Sequence, residues 1–114
     1  QLRARPADPA LAWACFGGLS PWEVIADGRK LVGLAQLRGR HGVLLTTGTL
    51  LWRPDWALLC RALDRPPTDV TRLDAATTSC AELLGARIHI ETLAEGLRQM
   101  LADVLGDFAA GAAD

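Results

Sequence analysis

Lys30 is the residue whose surroundings in this 114-residue chain are hardest to explain by packing alone. It stands early in the run Arg29-Lys30-Leu31-Val32-Gly33-Leu34-Ala35-Gln36, a strand pattern in which Gly33 and Ala35 lack bulk, so the backbone there can approach another molecule closely. An ammonium held beside such a surface could neutralise a phosphate or polarise an acyl carbonyl, because charge-assisted hydrogen bonds are roughly twice as strong as neutral ones. A lysine with no ligand fits the same pattern equally well. Arg38, Arg40 and His41 read more simply, as a solvated hairpin tip whose charges discourage edge-to-edge pairing. The three cysteines, Cys15, Cys60 and Cys80, have no CxxC spacing and no nearby histidine pair. Free thiols are therefore expected, with no disulfide framework and no metal site.

The elements that must position these groups are legible in outline. Asp27-Gly28 is a two-residue hairpin signal, since a type I′ turn needs positive φ at both central positions. Strands are expected over about 23–52, with Lys30, Val32, Leu34 and Gln36 on one face and Leu31, Gly33, Ala35 and Leu37 on the other. Gly48 interrupts the third strand and suggests a bulge or a close approach. A helix is expected over about 54–64, with Pro54 in its first turn, Cys60 on its core face, and Pro66-Pro67 ending it. Ser79-Cys80-Ala81-Glu82 matches a capping box that opens a short helix over 79–85, closed by Gly85. A last helix is expected over 92–105, with Leu93, Leu97, Met100, Leu101, Val104 and Leu105 as its apolar stripe and Gly106 as its end. The tail from Phe108 is expected to fray.

Bulk composition narrows the function classes. With 22% charged residues and a net charge of -1, the chain lacks the basic excess of a nucleic-acid-coating protein, and with no tyrosine it has few platforms for base stacking. One domain is expected at this length. No apolar run reaches bilayer length and the first residues lack the apolar centre of a secretory signal, so the cytoplasm is the expected compartment. The first residue is Gln1, which suggests a fragment, a processed product or a trimmed chain.

Taken together, Ala14-Cys15-Phe16, Ser20-Pro21, the Asp27-Gly28-Arg29-Lys30 turn, Gly33-Leu34-Ala35-Gln36 and Thr47-Gly48-Thr49-Leu50-Leu51 resemble the central segment of the lipoate–protein ligase and octanoyltransferase family. The resemblance implies an α/β (α+β) fold, an antiparallel-rich sheet packed by helices, forming the central and C-terminal part of a biotin/lipoate ligase-like domain. The family's arginine-rich, triple-glycine motif has no counterpart in these residues. The N-terminal part of the family domain is therefore expected to be absent from this chain, which alone would be inactive.

The resemblance further implies attachment of a lipoate or octanoyl group to a lysine of an acidic lipoyl-carrier domain or a glycine-cleavage H protein. A separate N-terminal subunit is a further implied partner. ATP and magnesium would serve a ligase, and no cofactor a transferase. Lys30 matches the family lysine that contacts the activated acyl group, and Cys15 resembles the acyl-accepting cysteine of some octanoyltransferases, where a thiolate would form a thioester. Gly33, Ala35 and Gln36 match the strand lining the acyl pocket, and Gly48 with Thr49 the adjacent strand. Thr47 replaces a histidine that many members carry. A non-catalytic module that docks an acceptor or partner protein is the alternative from a different class.

Overall fold

The computed structural model describes residues 8–112, which form an α+β arrangement of a three-stranded antiparallel sheet and four helices. A 3-10 turn at Pro9–Leu11 leads through irregular chain to β1 (Val24–Ala26), β2 (Arg29–Gly39) and β3 (Gly42–Thr49), in sheet order β1-β2-β3. The β1–β2 connection is the Asp27-Gly28 turn, with φ of 49° and 74° at its two residues, as a type I′ hairpin requires. Gln36 pairs with Leu45 and Val32 with Thr49, so β2 and β3 run side by side from the Lys30 end out to the Gly39-Gly42 tip.

One irregularity changes which side chains share a face. Ile25 pairs with Lys30, but the preceding residue Val24 pairs with Val32, leaving Leu31 as an extra residue in β2. A bulge of this kind shifts the alternation by one position. Lys30 therefore lies on the side of Gly33 rather than of Val32, correcting the simple alternation read from the sequence. A Cβ added at Gly33 would sit 3.4 Å from Lys30 Cε.

Four helices follow the sheet along the chain. In α1 (Trp56–Ala62) Asp55 caps the start by accepting from Leu58 N at 2.8 Å, which places Pro54 just before the helix rather than in its first turn. The proline pair that ends α1 also begins a helix that sequence reading missed, α2 (Pro67–Ala76), with Pro67 in a first-turn position where its missing N–H costs nothing. Helix α3 (Cys80–Leu84) is capped by Ser79, which accepts from Glu82 N, and ends on Gly85 in the left-handed region. Glu82 does not reach back to complete the capping box; its carboxylate pairs with Arg29 at 2.6 Å. Helix α4 (Ile90–Ala112) runs through Gly106 and on to Ala112 in the tail expected to fray, whose last two residues lie outside the described ones.

Leu11, Trp56, Cys60 and Leu73 form the buried core, with Trp13, Ala14, Phe16, Leu50, Val70 and Ala76 packed around it. This core joins the N-terminal turn to α1 and α2 and anchors the Lys30 end of the sheet through the bond from Thr78 N to Lys30 O. The far half of the hairpin and most of α4 lie outside it, and Leu37, Val43, Leu45, Met100, Leu105 and Phe108 are exposed. No helix among the described residues is long and apolar enough to cross a membrane.

Gly17 fits this core only because it lacks a side chain: a Cβ there would lie 2.2 Å from Leu11 O and 2.6 Å from Leu11 Cβ. Backbone cannot yield as a flexible side chain can. Gly17→Ala is expected to cost about 3 kcal/mol, the upper end of overpacking penalties, as a lowered urea midpoint at unchanged slope.

Candidate functional site

Two groups of buried polar contacts hold the turn that carries Cys15. From one side, the indole of Trp13 donates to Asp69 Oδ2 at 3.1 Å, and the Arg65 guanidinium both reaches the same oxygen at 3.2 Å and lies over the Trp13 ring. From the other side comes Lys30. Its ammonium donates to Cys15 O at 3.0 Å and to Gly18 O at 2.9 Å, and pairs with Glu23 Oε1 at 2.8 Å. An ammonium has three N–H donors and no acceptor, so these three partners use its full capacity. The Phe16 ring, 5.1 Å from the nitrogen, adds a cation–π contact.

Glu23 is the hub of the opposite charge. Both it and Lys30 are almost wholly buried, and its carboxylate also accepts from Ser20 N at 2.7 Å and from Leu34 N at 3.4 Å. Trp22, immediately before it, takes a positive φ of 74°, a conformation that bulky residues adopt rarely and at a cost. Burial pushes the Glu23 carboxyl up, but the bond and charge of Lys30 and the two backbone amides together outweigh it and hold the group below its ordinary range. The pair thus ties the 15–23 loop to β2.

The sequence-derived site residues separate into three sets. Cys15, Gly33, Ala35 and Gly48 come together around a cleft of about 260 Å³, whose lining also includes Phe16, Glu23, Leu34, Thr46 and Thr47. Cys15 is one of its lining residues and is itself exposed. Gly33 and Gly48 are cross-strand partners, and the bare backbone they present faces the Phe16 ring: a Cβ on either would meet Phe16 Cζ at 3.6 and 3.7 Å. Lys30 forms the second set alone. It lines a neighbouring cavity of about 340 Å³ with Gly17, Gly18, Leu19, Gly28 and Arg72 among others. Gln36 and Thr49 form the third and do not line the cleft; Gln36 is exposed and accepts a hydrogen bond from Arg38 Nε, while Thr49 pairs with Val32 at the sheet end.

Glu23 and Phe16 are the site residues that sequence reasoning did not single out. A signal existed for Glu23, a lone acid between Trp22 and the apolar Val24-Ile25-Ala26, seven residues before the lysine it neutralises across the hairpin. For Phe16 only its adjacency to Cys15 was visible. Cys60 is core, and Cys80 is half-buried in the first turn of α3. Arg38, Arg40 and His41 are exposed around the hairpin tip.

The fold and site describe an α+β unit in which an exposed cysteine lines a cleft beside a glycine pair, its loop fastened by a buried ion pair. Among curated proteins, the chain is 38% identical over 110 residues to an octanoyltransferase LipM of Kyrpidia tusciae, covering 91% of this chain and 39% of that protein. A second octanoyltransferase LipM, from Symbiobacterium thermophilum, is 35% identical over 108 residues, covering 90% of this chain and 39% of that protein. Over about nine-tenths of its length the chain is thus similar to proteins named octanoyltransferases, and it spans about two-fifths of the length of these relatives. No family profile matches it, and no solved structure matches it.

The ion pair sets two expected outcomes. Lys30→Met leaves the Glu23 carboxylate buried without its counter-charge and should cost about 3–5 kcal/mol in urea denaturation at neutral pH. Because the folded-state pKa of Glu23 lies below its ordinary value of 4.5, the unfolded chain binds the proton more readily. The stability it contributes is complete above that value and is lost as the pH falls through the folded value. Urea midpoints measured from pH 7 to pH 3 should therefore fall less steeply below pH 4.5 for Glu23→Gln than for the unaltered chain.

Proposed function

We propose that the chain is the thiol-bearing part of an octanoyl-transfer domain of biotin/lipoate ligase-like fold, in which Cys15 carries the acyl group. The observation that carries this reading is that Cys15, an exposed free cysteine, lines the Gly33/Ala35/Gly48 cleft in a chain similar to two octanoyltransferases. In the first step the Cys15 thiolate attacks the carbonyl carbon of an acyl thioester. A new C–S bond forms, the donor's C–S bond breaks, and the donor leaves as a thiol after taking up a proton. In the second step the amine of a lysine on a lipoyl-carrier domain attacks the Cys15 thioester, forming an amide and releasing the thiol. A glycine-cleavage H protein is one such acceptor.

Lys30 in this reading works by holding the Cys15 and Gly18 carbonyls, since its N–H groups are already committed inside the chain. To touch an acyl oxygen or an adenylate phosphate it would have to give up one of these bonds. The transfer step also needs the portion of the domain that the relatives possess beyond the matched residues, whether on the same polypeptide or on a separate subunit. A docking role without catalysis has one observation in its favour, the uncovered apolar faces of β3 and α4.

Incubation of the chain with octanoyl-coenzyme A, without ATP, separates these readings. An octanoyl adduct is expected on Cys15 at least tenfold faster than on Cys60 or Cys80, detected by mass spectrometry of peptides. It should be released by neutral hydroxylamine and be missing from Cys15→Ser. Acylation spread evenly over the three cysteines, or appearing only when ATP and free octanoate are supplied, defeats the thiol mechanism.

A further inference from the structure

Phe16 stands between two cavities. Of the residues lining the Cys15 cleft and the Lys30 cavity, it alone lines both, with the glycine pair Gly33/Gly48 on one side and the Lys30 ammonium on the other. The two spaces differ in character. The first, about 260 Å³, is lined by the strand residues Gly33, Ala35 and Gly48 together with Cys15. The second, about 340 Å³, has Leu11, Leu19, Ala75 and Ala76 as apolar walls below the Gly17-Gly18 turn. An apolar chain attached to Cys15 and laid along the glycine floor meets the Phe16 ring.

We propose that Phe16 is the stop that sets the length of the acyl chain Cys15 can carry. This rests on the acyl-transfer reading above and deepens it. The ring is held in place by its neighbours. Its own backbone lies between Cys15 and Gly17, the two residues around the Lys30 clamp and the tight contact with Leu11, and its Cζ lies within van der Waals distance of added Cβ atoms on both glycines. A side chain that ended short of the glycine pair would join the two spaces into one slot running from the thiol to the Leu19 and Ala76 walls. A methyl group added to the floor opposite the ring would shorten the first space instead, and it fits: the Gly48 Cβ position is 3.7 Å from Phe16 Cζ, an ordinary contact. Length selection by a single aromatic end wall is a discrimination that apolar pockets can make, since each methylene gained or refused is worth about tenfold or more in rate.

The test measures initial rates of Cys15 acylation, by mass spectrometry, with acyl-coenzyme A donors of four, eight, twelve and sixteen carbons. The unaltered chain is compared with Phe16→Leu, Phe16→Ala and Gly48→Ala. Expected for the unaltered chain is a maximum at eight carbons, for Phe16→Leu and Phe16→Ala a rise of tenfold or more in the twelve-to-eight-carbon rate ratio, and for Gly48→Ala a shift towards four carbons. An unchanged length profile in Phe16→Leu and Gly48→Ala, both with a cooperative urea transition, overturns the proposal while leaving thiol acylation standing. No acylation of the unaltered chain by any donor overturns the acyl-transfer reading and this proposal with it. Should Phe16→Ala fail to fold, the opposite-signed shift in Gly48→Ala still decides.

Discussion

A buried ammonium is tolerated only when its charge is neutralised and its donors are all used, and Lys30 meets both conditions inside this chain. Its three acceptors come from different places: a carboxylate from the loop before β1 and two carbonyls from the loop around Cys15. The lysine itself is fixed by sheet pairing and by the bond from Thr78 N to its carbonyl. One side chain thus fastens the thiol-bearing turn, the strained loop at Trp22 and the first strands of the sheet. Neither partner could be removed alone without stranding the other's charge in the interior, where an uncompensated ion costs several kcal/mol. Such a pair contributes little net stability compared with apolar packing, so its value here lies in the specific geometry it imposes on the 15–23 loop.

The bulge at Leu31 is what makes this geometry possible. A regular strand would send Lys30 to the face opposite Gly33, away from the Cys15 turn, and the ion pair and the glycine floor would lie on different sides of the sheet. With the extra residue they share a side. The type I′ turn at Asp27-Gly28 then fixes the register that brings Lys30 opposite Ile25, two residues from Glu23.

Much of this was legible in the residues, and the parts that were not have physical reasons. The hairpin turn, the strands on both sides of it, the Ser79 cap and the Gly85 terminus follow from local rules in which the residue that carries the signal also satisfies it. The bulge does not, because an extra residue in a strand of branched and small side chains changes no local preference. Helix α2 was hidden by the same Pro66-Pro67 pair that ends α1, since a proline that stops one helix can serve in the first turn of the next. For the site, Gly33, Ala35 and Gly48 could be found from their lack of bulk, whereas Gln36 and Thr49, carried along by the same motif, face elsewhere. The commitment of Lys30 to Glu23 was invisible because it depends on a long-range contact, and a lysine in a small-residue strand looks the same whether its partner is a ligand or its own chain.

The two halves of the molecule differ in how completely they bury their apolar residues. Around the core, Leu11, Cys60 and Leu73 are 2%, 2% and 0% exposed, while Leu45 and Leu105 at the far ends of the hairpin and of α4 are 61% and 64% exposed. The radius of gyration, 16.7 Å, exceeds the roughly 13 Å of a compact domain of this length. An accessible surface of 8683 Å² likewise exceeds the roughly 6,100 Å² of a compact monomer of 12.2 kDa. Exposed apolar faces of this extent are what elements show when no packing partner covers them among the described residues. The thiol turn and its ion pair belong to the half that closes on itself. The site's positioning therefore depends on contacts within the chain, and the open faces of β3 and α4 bear on what the chain works with rather than on how Cys15 is held.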